Sequence, residues 1–204
     1  MSFIYLASQS PRRRQLLEQL GVPLRTLLPD DAEAAEALEA VRPGEAPAAY
    51  VKRVTRLKLD DAVRRLRAQA LPAAPLLCAD TTVALGRAIL GKPRDALDAA
   101  DMLRRLSGRT HRVITALAVQ AGDARHEAMS DSRVRFASLS DADIAAYLAS
   151  GEWQGKAGAY AIQGRAAAFI AHISGSYSGI MGLPLCETAT ILRLVGAHQA
   201  QEAT

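Results

Sequence analysis

Ser8, Ser10, Arg12 and Arg13 fall within six consecutive residues, where a short apolar run gives way to a helix start. The run Phe3-Ile4-Tyr5-Leu6-Ala7 reads as a buried strand, and Pro11 opens an apolar-periodic pattern through Leu16, Leu17 and Leu20. Ser10 suits the cap position and Pro11 the first helical position, where its missing N–H costs nothing. Unpaired N–H groups, the positive end of the helix dipole, two hydroxyls and forked guanidinium groups together favour a phosphate. The plain alternative is a surface helix with a basic first turn. Against it stands the dipole, which positive side chains oppose unless an anion is present.

A second set of chemistry-bearing residues follows further along. Asp80 comes directly after the apolar run Leu76-Leu77-Cys78-Ala79, with hydroxyls at Thr81 and Thr82. The sequence predicts that Asp80 lies at the carboxyl end of a strand, the edge where open α/β sheets bind ligands. Glu33, preceded by Asp30 and Asp31, is expected in a loop at the same edge. Two carboxylates with phosphate oxygens between them form a hard oxygen site suited to Mg²⁺ or Mn²⁺. A solvated turn aspartate and a solvated acidic loop are the ordinary alternatives. No His/Cys spacing suits zinc, and no Gly-rich phosphate loop of the kinase or GTPase kind occurs.

Four of the 25 basic residues are lysines: Lys52, Lys58, Lys92 and Lys156. In a chain that supplies positive charge as arginine, a lysine offers a compact point charge on a flexible stem. Lys92 follows a predicted hairpin, while Lys58 lies mid-helix, where a lysine ordinarily marks a solvated face. His111 begins a predicted strand and suits either a base or a structural role. Gln163 ends a small-residue stretch, Gly155 to Gly164, and offers a donor and an acceptor together, as reading a base edge requires.

The elements that must position these residues alternate. Strands are predicted at Phe3–Ala7, Pro23–Leu28, Leu76–Ala79, His111–Gln120, Arg133–Ala137 and Ala168–Ser174, with a hairpin over Val83–Leu90. Helices are predicted from Pro11, over Pro47–Gln69, from an Asp95 cap to Leu106, over Ala142–Ala149 behind a Ser140/Asp143 capping box, and over Glu187–Val195. This order predicts an α/β fold with a mixed sheet. No linker separates domains, so a single domain over 1–197 and a frayed tail over 198–204 are expected.

Composition narrows the class. The chain has 204 residues, half of them hydrophobic, enough for a sizeable aliphatic core. No apolar stretch reaches the roughly 18 residues of a membrane span, and the N-terminus lacks the order of a secretion signal. Cys78 and Cys186 stand far apart, which argues against a disulfide framework. A cytoplasmic protein is the default expectation. The net charge of +4 is scattered, not gathered into a stripe, and suits anionic small molecules as well as nucleic acid.

These segments together resemble the Maf proteins, a family of nucleotide pyrophosphatases. The anchors are Leu6-Ala7-Ser8-Gln9-Ser10-Pro11-Arg12-Arg13, Ala79-Asp80-Thr81, Gly91-Lys92-Pro93, and Leu106-Ser107-Gly108 with His111, Val113 and Thr115. Lys156-Ala157-Gly158-Ala159-Tyr160, Ile162-Gln163-Gly164 and the run from Gly175-Ser176-Tyr177 to Gly182-Leu183-Pro184-Leu185 complete them. The resemblance implies two lobes around a nucleotide cleft and a divalent metal (Mg²⁺, Mn²⁺ or Co²⁺). It also implies release of pyrophosphate from a nucleoside triphosphate, and suggests a homodimer. The Lys-Ala-Gly-Ala-Tyr and Ile-Gln-Gly segments look like the branch acting on dTTP and UTP.

By that resemblance Asp80 matches the general base, and Glu33, Lys58 and Lys92 match polar residues around triphosphate and metal. Ser8, Arg12 and Arg13 match the phosphate loop, while Arg12, Thr81 and Gln163 match positions linked to substrate choice. Cys78 departs from the glycine usual before Ala-Asp. The Ala-rich spacing around Glu33 leaves Asp31 as its competitor. A free aspartate has a pKa near 3.9, so Asp80 as a base needs burial or a metal-acidified water, and a metal-ligand role stays open. Rival readings are the same chemistry on 7-methyl-GTP or on inosine or xanthosine triphosphate, and a non-enzymatic division regulator binding nucleic acid or protein.

Overall fold

The structure is a computed structural model that describes residues 3–198, so most of the tail expected over 198–204 lies outside the described residues. Seven strands form one mixed sheet, flanked by helices, in the order β2-β1-β3-β5-β6-β7, with β4 paired to β3. The chain divides into two units. Among the described residues, the first takes 3–80, 116–129 and 182–198, and the second takes 81–115 and 130–181.

The first unit is built on parallel strands. β1 (Ile4–Leu6) pairs in parallel with β2 (Leu24–Thr26) and with the start of β3 (Leu76–Leu85). Helix α1 (Pro11–Gln19) joins β1 to β2, and the short α2 (Ala32–Ala37) and long α3 (Pro47–Ala68) lead on to β3. Strands covered on both faces read as unbroken apolar runs, and Ile4-Tyr5-Leu6 and Leu76-Leu77-Cys78-Ala79 are buried throughout. The core here gathers Tyr5, Leu27, Leu59, Ala62, Leu76, Cys78 and Ala118. α3 turns Val51, Val54, Thr55, Leu59 and Ala62 inward at helical spacing. The last helix, α7 (Leu185–Leu194), begins two residues earlier than the sequence suggested.

The second unit is a meander with helices. β3 turns at Gly86, in the left-handed region at φ 61°, into β4 (Ala88–Leu90). Helix α4 (Ala96–Leu106) follows, its Asp98 N–H donating to the Asp95 side chain at 2.8 Å. β5 (Thr110–Ala121) and β6 (Ala124–Phe136) are longer than predicted and cross between the units. α5 (Asp141–Ala149) carries the full Ser140/Asp143 capping box, and β7 (Ile170–Ser174) pairs antiparallel with β6. The short α6 (Tyr177–Met181) ends the unit. Its core gathers Phe136, Leu103, Leu106, Val113, Ile144 and Tyr160.

Two local expectations are corrected. Asp80 does not end its strand, because Thr81, Thr82 and Val83 suit a pleated, half-buried surface and carry β3 on to Leu85. The acidic segment is not all loop: α2 starts inside it, with the Asp31 carboxylate accepting the Glu33 N–H at 2.9 Å.

Candidate active site

In the first unit the chemistry collects around Lys58. Four residues after Val54 and four before Ala62, it falls within the buried stripe of α3 and not on a solvated face. Its ammonium donates to Asp80 Oδ1 at 2.7 Å and to Glu39 Oε1 at 2.6 Å. The three side chains are 20%, 10% and 25% exposed, so the cluster is screened from water without being sealed. Burial works to lower the Lys58 pKa, and the charges of Asp80 and Glu39 outweigh it, holding the ammonium above its ordinary value.

Glu39 is held from α3. The Tyr50 hydroxyl donates to its carbonyl at 3.0 Å, and Arg53 donates to the Ala40 carbonyl at 2.8 Å. Arg53 also grips both Glu45 oxygens at 2.7 Å, a bidentate pair that ties the chain after Glu39 to the helix. Burial first, and then the charges of Asp80 and Glu39, push the Tyr50 hydroxyl up to about 12, so it stays a donor at neutral pH. Glu39, Tyr50 and Arg53 escaped the sequence reading. The available signal was slight: Tyr50 and Lys58, eight apart, share the same stripe of a helix that should bury only apolar groups.

The phosphate loop is partly as expected. Ser8 Oγ accepts the Ser10 N–H and an Arg13 guanidinium N–H, both at 3.2 Å. Arg13 Nε also donates to the Gly182 carbonyl at 2.8 Å, fixing its guanidinium against the start of the last chain segment. Ser10 occupies the cap position of α1, but its side chain makes no capping bond. Arg12 is half-buried in the first turn of α1. Arg14 turns outward to Glu18 at 3.0 Å. Cys78 lies beneath the loop with its sulfur 3.7 Å from the Ala7 carbonyl, and burial pushes its thiol up to about 11.

The second unit gathers Thr81, Lys92 and the 156–164 segment. Thr81 Oγ1 lies 2.8 Å from Thr115 Oγ1, and Thr115 donates to the Gly179 carbonyl at 2.7 Å. A carbonyl only accepts, so Thr115 spends its one proton there and Thr81 must donate to Thr115. The N–H of Gly158 donates to the Gly91 carbonyl at 3.0 Å, linking this segment to the residue before Lys92. Gly158 has φ 67°, and a Cβ there would come within 2.9 Å of the Val83 side chain. Glycine is therefore required twice over, by conformation and by space. Gln163 and Lys92 are both exposed.

A buried pair fixes that segment. His111 Nε2 and the Tyr160 hydroxyl are 2.8 Å apart, and both rings meet Phe136 edge-on. His111 is thus structural in its contacts. Burial pushes it down to about 4. It is neutral when folded, while the unfolded chain takes up a proton below about 6.5. The stability His111 supplies is therefore complete above pH 6.5 and is lost as pH falls from 6.5 through 4, by roughly 3 kcal/mol at most. Thermal melts of wild type and His111→Gln should converge as pH falls from 7 to 4, with wild type losing stability more steeply. Parallel pH slopes would contradict this.

In the first unit the geometry combines a carboxylate pair on a lysine with a basic helix start, and comparison with known proteins gives it a context. The profile of the family described as Maf-like protein matches residues 3–195. The chain belongs to the Maf family. It is 65% identical over 194 residues to a dTTP/UTP pyrophosphatase of Albidiferax ferrireducens, covering 95% of this chain and 97% of the relative. A dTTP/UTP pyrophosphatase of a Polaromonas species is 66% identical, covering 95% and 96%. One from Ralstonia nicotianae is 64% identical, covering 93% and 92%.

Set against the residues expected from the Maf resemblance, the structure joins Asp80 to Lys58 and Ser8 to Arg13 directly. It places Glu33 exposed on α2 and Glu39 against Lys58. Asp31, the competitor, caps α2. Among the described residues no group of three or more His, Cys, Asp or Glu side chains could hold a metal. No described helix is long and apolar enough to cross a membrane.

Proposed function

We propose that this chain hydrolyses dTTP and UTP to the monophosphate and pyrophosphate, removing them from the nucleotide pool. The observation that carries the reading is the Lys58 ammonium seated between Asp80 and Glu39, in a chain about two-thirds identical to proteins named for that activity. Such a cluster offers carboxylate oxygens and a point charge together, the equipment for handling a polyphosphate and its counter-ion.

Each residue has a part. Arg12, Arg13 and Ser8 at the start of α1 take the phosphates, with the helix dipole in support. Lys58 and Lys92 offset the negative charge that builds on the phosphate oxygens as the α–β bond breaks. Asp80 orients the attacking water and receives its proton. Thr81, whose proton is committed to Thr115, meets the nucleotide as an acceptor, and Gln163 offers its amide to the base edge.

A divalent cation fits this donor set. Two carboxylate oxygens already converge on one cation, Lys58 Nζ, at 2.6 and 2.7 Å. Mg²⁺ is ordinarily bound by one or two carboxylates together with substrate phosphates, and Asp80 and Glu39 offer two carboxylates. Asp80 and Glu39 would hold the ion, which supplies charge neutralisation and a more acidic water. We place the active form in the cytoplasm as a homodimer of a single functional domain over 1–197, which light scattering on the purified chain tests for assembly.

The deciding experiment is pyrophosphate release from a nucleotide panel with Mg²⁺, Mn²⁺ or Co²⁺. Release from dTTP and UTP, well above ATP and GTP, is expected. Preferential release from 7-methyl-GTP or from inosine triphosphate would assign the same chemistry to another base. No release from any of them, with salt-sensitive retention on DNA, would favour the division regulator.

A further inference from the structure

Lys58 has a second consequence, which rests on the reading that Glu39 and Asp80 form the cation site. We propose that Lys58 is the internal counter-ion of this carboxylate pair in the metal-free protein, and that it yields its place when metal and triphosphate arrive together. Its Nζ donates to one oxygen of each carboxylate, at 2.6 Å to Glu39 and 2.7 Å to Asp80. Counted formally, the lysine sets one positive charge against the two carboxylates. With Lys58 in place, a divalent ion at those oxygens meets a full positive charge within about 4 Å, and little bulk water screens them.

The lysine stem makes the exchange feasible. Four methylenes let the ammonium swing without moving α3, whereas a planar guanidinium holding two carboxylates is committed to its geometry. Arg53 on Glu45 shows the contrast in the same helix: a bidentate fork serves as a fixed tie. A displaced Lys58 ammonium needs another anion, and the incoming triphosphate supplies it. Metal and nucleotide therefore assist each other, and by linkage each tightens the other by the same factor. The carboxylates are never left as an uncompensated half-buried pair, a state that is costly in protein interiors.

The test is direct binding of Mn²⁺, read from the resonance signal of the free ion, without turnover. Wild type and Lys58→Arg should bind Mn²⁺ weakly without nucleotide. Lys58→Met, which keeps the apolar stem, should bind it at least about tenfold tighter, and Lys58→Met with Asp80→Asn should lose that gain. A non-hydrolysable UTP analogue should tighten Mn²⁺ binding at least about tenfold in wild type and less in Lys58→Met. Equal affinity of wild type and Lys58→Met for Mn²⁺ alone would overturn the proposal. So would wild type that binds Mn²⁺ as tightly without the analogue as with it, a result that needs no variant to fold. Absence of Mn²⁺ binding to wild type even with the analogue would instead remove the metal-dependent reading beneath it.

Discussion

Asp80→Asn is expected to lower kcat on UTP by about a thousandfold or more while the protein stays folded and still binds nucleotide. General acid–base catalysis contributes about 10²- to 10⁴-fold, and here the same carboxylate would also help to hold a cation. The fold should survive because asparagine keeps an oxygen that can accept from Lys58, and Glu39 still balances the ammonium. The checks are steady-state rates, nucleotide binding by calorimetry, and circular dichroism on the same preparation. Near-normal turnover in this variant would remove Asp80 from the chemistry altogether.

Glu39→Gln set against Glu33→Gln should separate the two candidate carboxylates by a wide margin. Glu39 touches Lys58 at 2.6 Å and is held there by Tyr50 and Arg53, whereas Glu33 is exposed on α2. Losing the Glu39 charge should cost about a hundredfold or more in kcat/KM, the scale of one preorganised electrostatic contact. The Glu33 change should stay within about twofold, as surface substitutions away from a site do. The same assay at several Mn²⁺ concentrations adds a second readout: Glu39→Gln should raise the metal needed for half-maximal rate. Equal losses in the two variants, or a larger loss in Glu33→Gln, would return the role to the residue that the sequence had favoured.

Much of this fold is legible in sequence because its signals are local. Pro11 after Ser10, Asp95 before an apolar-periodic run, the Ser140/Asp143 box and Gly86 in a two-stranded turn each act within a few residues. Backbone hydrogen bonding at helix ends and left-handed φ values are decided at that range, so residue type is enough. The Ser8–Arg13 loop is legible for the same reason, as a strand end, a helix start and their dipole lie in one stretch of chain. The extent of β3 was less legible, because the neighbours that keep Thr81, Thr82 and Val83 extended come from β4 and β5, later in the chain.

The sequence alone therefore determined the family resemblance, the mixed α/β class, the helix starts and most of the polar residues that matter. Tertiary structure alone decided which of them meet. Asp30, Asp31, Glu33, Glu36 and Glu39 are equivalent in an acidic, Ala-rich segment. Only the packing of that segment against α3 puts Glu39 on Lys58, 19 positions away. Lys58 itself reads as a solvated mid-helix lysine until the stripe through Val54 and Ala62 is seen to be buried. The direction of the Thr81 proton depends on Thr115 and Gly179, 34 and 98 positions further on. Periodicity and capping are properties of adjacent residues. A charge pair or a proton's direction belongs to atoms a few ångströms apart, and where the chain folds back decides which atoms those are.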